Sequence, residues 1–143
     1  MAFLESPTVP LSWGELIDKI TILEIKSERI GRAEALAHVA REHRLLSGIG
    51  ALALQVEAVR LLYDELRRVN SMLWDAEDAI RDAEAKAQFG PEFVQLARSV
   101  YKTNDERAML KRRINDLLGS ELVEEKSYAG TALFADSFSG AAR

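Results

Sequence analysis

"ALALQVEAVRLLYDELRRVNSMLWDAEDAIRDAEAKA", residues 51–87, decides the fold. Along it Leu52, Val59, Leu62, Leu66, Val69, Leu73, Ala76, Ile80 and Ala83 recur in alternating steps of three and four, interrupted only at Gln55. That spacing keeps one apolar line on one side of an α-helix and is the heptad pattern by which helices pack lengthwise. Neither proline nor glycine falls inside the stretch, so one helix is expected over about 51–87, breaking at "QFGPEF", 88–93.

Outward toward the C-terminus, Gly90 and Pro91 form a loop-to-helix junction, with proline at the first helical position where its missing N–H costs nothing. A last helix is expected over 91–118, stopping at Gly119. So short a connection makes the two long helices antiparallel neighbours. Outward toward the N-terminus, "SGIG" at 47–50 closes a shorter helix expected over 33–47. Before it, "LSWGELIDKITILEIKSERIG", 11–31, opens with Ser12 and Glu15 at capping-box spacing and with Leu11 and Leu16 at staple spacing. Pro7 and Pro10 keep residues 1–11 an extended arm, and Gly31 offers a left-handed stop to a helix over about 12–30. Leu16, Ile20, Leu23 and Ile30 form one stripe with Ile17 on its edge, while Ile22 and Ile25 look to other sides. A helix apolar on more than one side either sits deep in a bundle or meets a second subunit.

The expected fold is therefore all-α: a helical bundle built on a long antiparallel, coiled-coil-like helix hairpin, plus an N-terminal helix and a shorter second helix. Residues 1–118 form a single helical domain. Residues 119–143 form a tail of small residues, ordered only where Leu133, Phe134 and Phe138 dock.

Composition excludes several chemistries. The chain has no cysteine, which removes disulfides, thiolate metal sites and thiol nucleophiles. His38 and His43 are five apart and do not share a helix face, so they make no helical two-histidine metal pair, and no metal or cofactor is expected. A net charge of −4 supplies no field for phosphate backbones, so no nucleic acid is expected as a partner. No apolar run is long enough to cross a bilayer; no membrane association and a cytoplasmic location are expected.

One stretch resists the bundle pattern. In "YKTNDERAMLKRRIND", 101–116, the line that should be apolar runs through Asn104, Arg107 and Lys111. Folding the hairpin at 88–90 places Arg107 level with 73–77, where Trp74, Glu77, Asp78 and Arg81 lie, so Glu77 or Asp78 is the expected partner of Arg107. Three readings compete: a paired network that fixes the register of two slippery helices, a solvated charged face, or a cleft for a small anion. The cleft would be lined by Trp74, Glu77, Asp78, Arg81, Tyr101, Asn104, Arg107 and Lys111, with cations gripping carboxylate or phosphate and aromatics forming a flat wall.

The segments "SWGELIDKITILEIKSERI", "LWDAEDAIR", "VYKTNDERAMLKRRIN" and "GSELVEEKSY" together resemble a bacterial family of small helical proteins classed as a domain of unknown function. The resemblance spans 8–128 and leaves Ala129 to Arg143 uncovered. It implies no reaction, substrate or cofactor, and no catalytic residue is carried over.

Function is expected to lie in association: a non-enzymatic interaction or scaffold protein with a protein partner or a second copy, a homodimer through the first helix or the long hairpin. Two enzyme alternatives stand beside it. Magnesium-dependent nucleotide pyrophosphohydrolases place paired acidic motifs on adjacent helices; Asp75, Glu77, Asp78, Asp82 and Glu84 supply oxygens, but only Asp75-x-x-Asp78 fits the motif. A chorismate-mutase-like bundle would grip a dicarboxylate with Lys19, Lys26 and Arg29 on the first helix.

Overall fold

The computed structural model describes residues 4–127. Four helices run in chain order: α1, Trp13–Arg29; α2, Ala33–Gly50; α3, Glu57–Ala85; and α4, Pro91–Leu118, with a 3-10 turn at Ala53–Gln55 between α2 and α3. There is no strand among the described residues. Residues 128–143, including Leu133, Phe134 and Phe138, lie outside the described residues.

The long helices form the expected antiparallel hairpin, tied on its flank by Arg68 of α3 and Glu106 of α4, 2.8 Å apart. The α3 helix begins at Glu57 rather than near Ala51. Leu52, read above as the start of the heptad seam, lies outside α3 and is solvent-exposed. α2 conversely runs three residues past the expected end, through Gly48, Ile49 and Gly50, where Gly50 lies against the Ile20 side chain and an added Cβ would come within 2.7 Å of Cδ1. Close packing, rather than turn chemistry, explains this glycine.

α1 is the central helix. Leu16, Ile17, Ile20, Leu23 and Ile25 are all buried. α2, α3 and α4 each pack against it, and of the two apolar residues that look away from its main stripe Ile25 is buried and Ile22 half-buried. Leu62, Leu66, Val69 and Leu73 of α3, with Leu110 and Ile114 of α4, complete one core.

Helix ends follow local chemistry with two departures. Gly119 takes φ 61 and stops α4, as left-handed glycine does. Gly31 does not act as a left-handed stop; α1 ends because Ile30 turns extended, at φ −82 and ψ 132. The left-handed residue at the hairpin tip is Ala87, φ 53, in a Schellman closure where Gln88 N–H donates to Ala83 C=O and Ala87 N–H to Glu84 C=O.

Burial divides the molecule into two parts. From residue 74 through 102, both helices of the hairpin carry no fully buried side chain. Below that level lies a four-helix base; above it projects a two-helix tip whose seam residues Ala76, Ile80, Ala83, Phe93 and Leu96 are only half-buried. Phe89 and Phe93 meet edge to face at its end, ring centroids 5.3 Å apart.

Candidate functional site

Asp18 is fully buried in the middle of α1. A carboxylate there is tolerable only if its oxygens are occupied, and they are. Arg107 reaches across from α4, Nε to Oδ1 at 2.9 Å and Nη2 to Oδ2 at 2.5 Å, a two-pronged grip. Asn70 of α3 donates from Nδ2 to the same Oδ1 at 2.8 Å and to Thr21 Oγ1 at 2.9 Å. Thr21 in turn donates to the backbone C=O of Asp18 at 2.7 Å. Three helices thus meet on one carboxylate, and the pairing raises the Arg107 guanidinium further above its already high ordinary value.

One turn nearer the base, Lys111 is buried between two further carboxylates, Glu15 at 3.0 Å and Glu124 at 2.7 Å. Burial is the largest influence on its ammonium and would lower its pKa. The hydrogen bonds to Glu124 and Glu15, with the nearby charges of Asp18 and Glu15, offset that, and the group is held above its ordinary value. Lys111 reciprocally holds the Glu124 carboxyl below the usual carboxylate range.

The start of α1 is seated against this cluster. Ser12 Oγ accepts from Glu15 N–H at 3.1 Å, half of the expected capping box. The other half is replaced, because the Glu15 carboxylate turns to Lys111. Asn115 Oδ1 accepts from Gly14 N–H at 2.7 Å and Ser120 Oγ from Trp13 N–H at 3.2 Å. All three amides of the first turn are therefore satisfied, two of them by residues about a hundred positions away. Gly14 is indispensable to that approach, since an added Cβ would overlap the Lys111 carbonyl oxygen.

A second polar group lies between α1, α2 and α3. Glu24 receives Tyr63, with Arg67 Nε at 3.6 Å and His43 Nε2 at 3.5 Å. Burial, then the bond to Glu24, pushes the Tyr63 hydroxyl well above its ordinary pKa. Arg67 also pairs with Glu28, and Arg29 with Asp75.

The eight residues picked from the sequence divide between base and tip. Arg107 and Lys111 turn inward to α1. Trp74 is half-buried, and Glu77, Asp78, Arg81 and Tyr101 are exposed on the tip helices; Asn104 is half-buried between the two sets. The carboxylate on Arg107 is Asp18, not Glu77 or Asp78. The Arg68–Glu106 pair, whose numbers add to 174, shows why: facing residues lie several positions lower in number than a symmetric fold at the loop implies, and Arg107 is level with Arg67. Glu77 falls nearly three turns nearer the tip, about 15 Å along the axis. Among the described residues no group of three or more His, Asp or Glu side chains is placed to hold a metal ion. No helix there is long and apolar enough to cross a membrane.

Asp18, Thr21, Glu15, Asn115 and Glu124 are partners that the spacing along the hairpin does not single out. One signal was present: Gly14, Asp18 and Thr21 stand four and three apart, a short line of small and polar residues beside the apolar stripe of the helix. That line faces the one formed by Arg107, Lys111 and Asn115.

Residues 8–140 match the model of a family described as a family of unknown function, DUF6165. The chain belongs to that family. The match runs well past the segments quoted above and takes in most of the stretch from Ala129 onward, which the resemblance had left uncovered. No curated protein and no solved structure matches this DUF6165 chain.

Proposed function

We propose that the protein is a non-enzymatic association module that pairs with a second copy through the projecting tip of its hairpin. The observation that carries this is the half-buried seam: Ile80, Phe93 and Leu96 continue the heptad line beyond the level at which α1 covers it. Two helices alone leave such a seam partly wet, and a second pair would complete a four-helix core. Charge supports a two-fold, antiparallel arrangement of copies. The α3 side of the tip carries Glu77, Asp78, Asp82 and Glu84, and the α4 side carries Arg98 and Lys102, so a two-fold pairing can set each acidic side against the other copy's basic side. The test is sedimentation across a concentration series, comparing the parent with Ile80→Glu and Leu96→Glu. Dimerisation of the parent that both variants abolish, with helical circular dichroism retained, is the expected result; a parent that stays monomeric at high micromolar concentration overturns it.

An anion-binding or enzymatic bundle draws its support from Arg107, whose side chain keeps 27% of its exposure. Against it, the cations it needs are already engaged, Arg107 by Asp18 and Lys111 by Glu15 and Glu124. A rise in melting temperature with phosphate or a dicarboxylate, lost in Arg107→Gln, would favour that reading.

A further inference from the structure

Beyond Gly119 the chain turns back on α4 as an irregular ribbon, 120–127, and carries two adjacent carboxylates to two adjacent cations. Glu124 Oε2 lies 2.7 Å from Lys111 Nζ, and Glu125 Oε2 lies 3.1 Å from Arg112 Nη1. The two sides of these contacts are unlike. The Lys111 side chain keeps only 9% of its exposure, whereas residues 121–125 are all exposed, the apolar Leu122 and Val123 among them.

A buried ammonium needs acceptors for its protons. One is Glu15, supplied by the firmly seated first turn of α1. The other comes from the ribbon, whose ties to α4 are ion pairs open to solvent on at least one side and so worth little each. A segment held in this way opens locally far more often than the bundle it lies on. The site therefore requires a second carboxylate without being committed to this one, and an incoming carboxylate leaves its charge count unchanged.

We infer that Lys111 and Arg112 form a binding site for an acidic peptide segment of a partner protein, and that "SELVEEKS", residues 120–127, occupies it as an internal stand-in. The stand-in defines the chemistry of the ligand: two successive carboxylates on a chain without secondary structure, one for the buried ammonium and one for the exposed guanidinium. Tethered directly to the end of α4, it acts at an effective concentration on the order of millimolar, so it shuts the site against weak acidic peptides and yields to a partner with further contacts.

This inference is independent of pairing through the tip. It rests on the same cations as the anion-binding reading and names the carboxylate that gives way. The full chain carrying Glu124→Gln and Glu125→Gln, in a Trp74→Phe background, is titrated with the synthetic peptide SELVEEKS and separately with inorganic phosphate. Trp13 emission reports occupancy, because its backbone N–H is bonded to Ser120 in the adjoining seat. The variant should bind the peptide at least about tenfold more tightly than the background chain, whose own ribbon competes. A peptide with glutamine at both adjacent glutamates should not bind, and Arg112→Glu, at an exposed position, should abolish binding with helical circular dichroism retained. In the unsubstituted chain, amides of residues 121–126 should exchange roughly a hundredfold faster than those of 107–115. Equal affinity with and without the two glutamates, no binding by the variant, or a ribbon that exchanges as slowly as α4 overturns the inference. Phosphate binding that is the same in both chains and lost in Arg107→Gln overturns it too, while leaving the anion-binding reading intact.

Discussion

Base and tip are made by the same two helices, yet they are held together differently. In the base the seam of α3 and α4 is closed by α1, and the polar residues at its centre are sealed: Asp18 is inaccessible, and Asn70, Lys111 and Asn115 are nearly so. In the tip the same heptad spacing continues with smaller residues and, among the described residues, no further helix over it, and most of its charged residues are exposed. The difference teaches that a heptad line specifies a seam without specifying how many helices will share it. Depth of burial, and with it the meaning of each polar residue, depends on whether a third helix is present.

Substitutions should break this contrast where it is strongest. Asp18→Ala leaves Arg107 and Asn70 without their shared acceptor and should cost about 3–5 kcal/mol in urea unfolding, whereas Glu77→Ala on the tip should stay within about 0.5 kcal/mol. A comparable loss at both positions would erase the distinction between base and tip. Gly14→Ala forces α1 away from the Lys111 carbonyl and should cost about 1–3 kcal/mol, with the Trp13 emission shifting because its backbone N–H is bonded to Ser120 in the same seat. Ala87→Gly sharpens the comparison from the other side: it relieves a left-handed alanine at the tip and should stabilise by up to about 1 kcal/mol, read as slower exchange confined to residues near 80–95.

The smallest effect is a dependence on pH. Glu124 is held below its ordinary value by Lys111, so its contribution is complete above the unfolded value of 4.5 and is lost as pH falls through the lower folded value. Lys111 is held above its ordinary value, so its contribution is complete below 10.5 and is lost as pH rises through the higher folded value. Because Glu124 is partly exposed, the acid effect should be under about 1 kcal/mol. Glu124→Gln should flatten the acid limb of a Trp13 fluorescence titration carried out in a Trp74→Phe background.

Much of the architecture was legible in the sequence, because periodicity and end signals are local. The hairpin, the proline at the start of α4 and Gly119 at its end follow from neighbours in the chain. The polar centre was legible on one side only. Arg107 and Lys111 betray themselves by occupying apolar positions, but their partners are fixed by the crossing of α1 over the hairpin, which no local spacing encodes. Local spacing therefore gives no sign of Asp18 as a partner and points instead to Glu77 or Asp78. The start of α3 was misjudged for a related reason: Leu52 has the right spacing, and only the lie of α2 against α1 moves it out of line.

The seat that Asn115 provides for Gly14 has a consequence for how the chain comes to be folded. The two residues lie 101 positions apart, so the most deeply buried helix of the base leaves the ribosome long before the side chain that finishes its first turn. At about 5–20 residues per second that interval is roughly 5–20 seconds. During it α1 can associate with α2, but the polar line through Gly14, Asp18 and Thr21 has no α4 to receive it. Completion of the native bundle is thereby tied to the synthesis of α4, and a nascent chain stalled before Asn115 presents an aspartate and an apolar stripe to whatever is nearby.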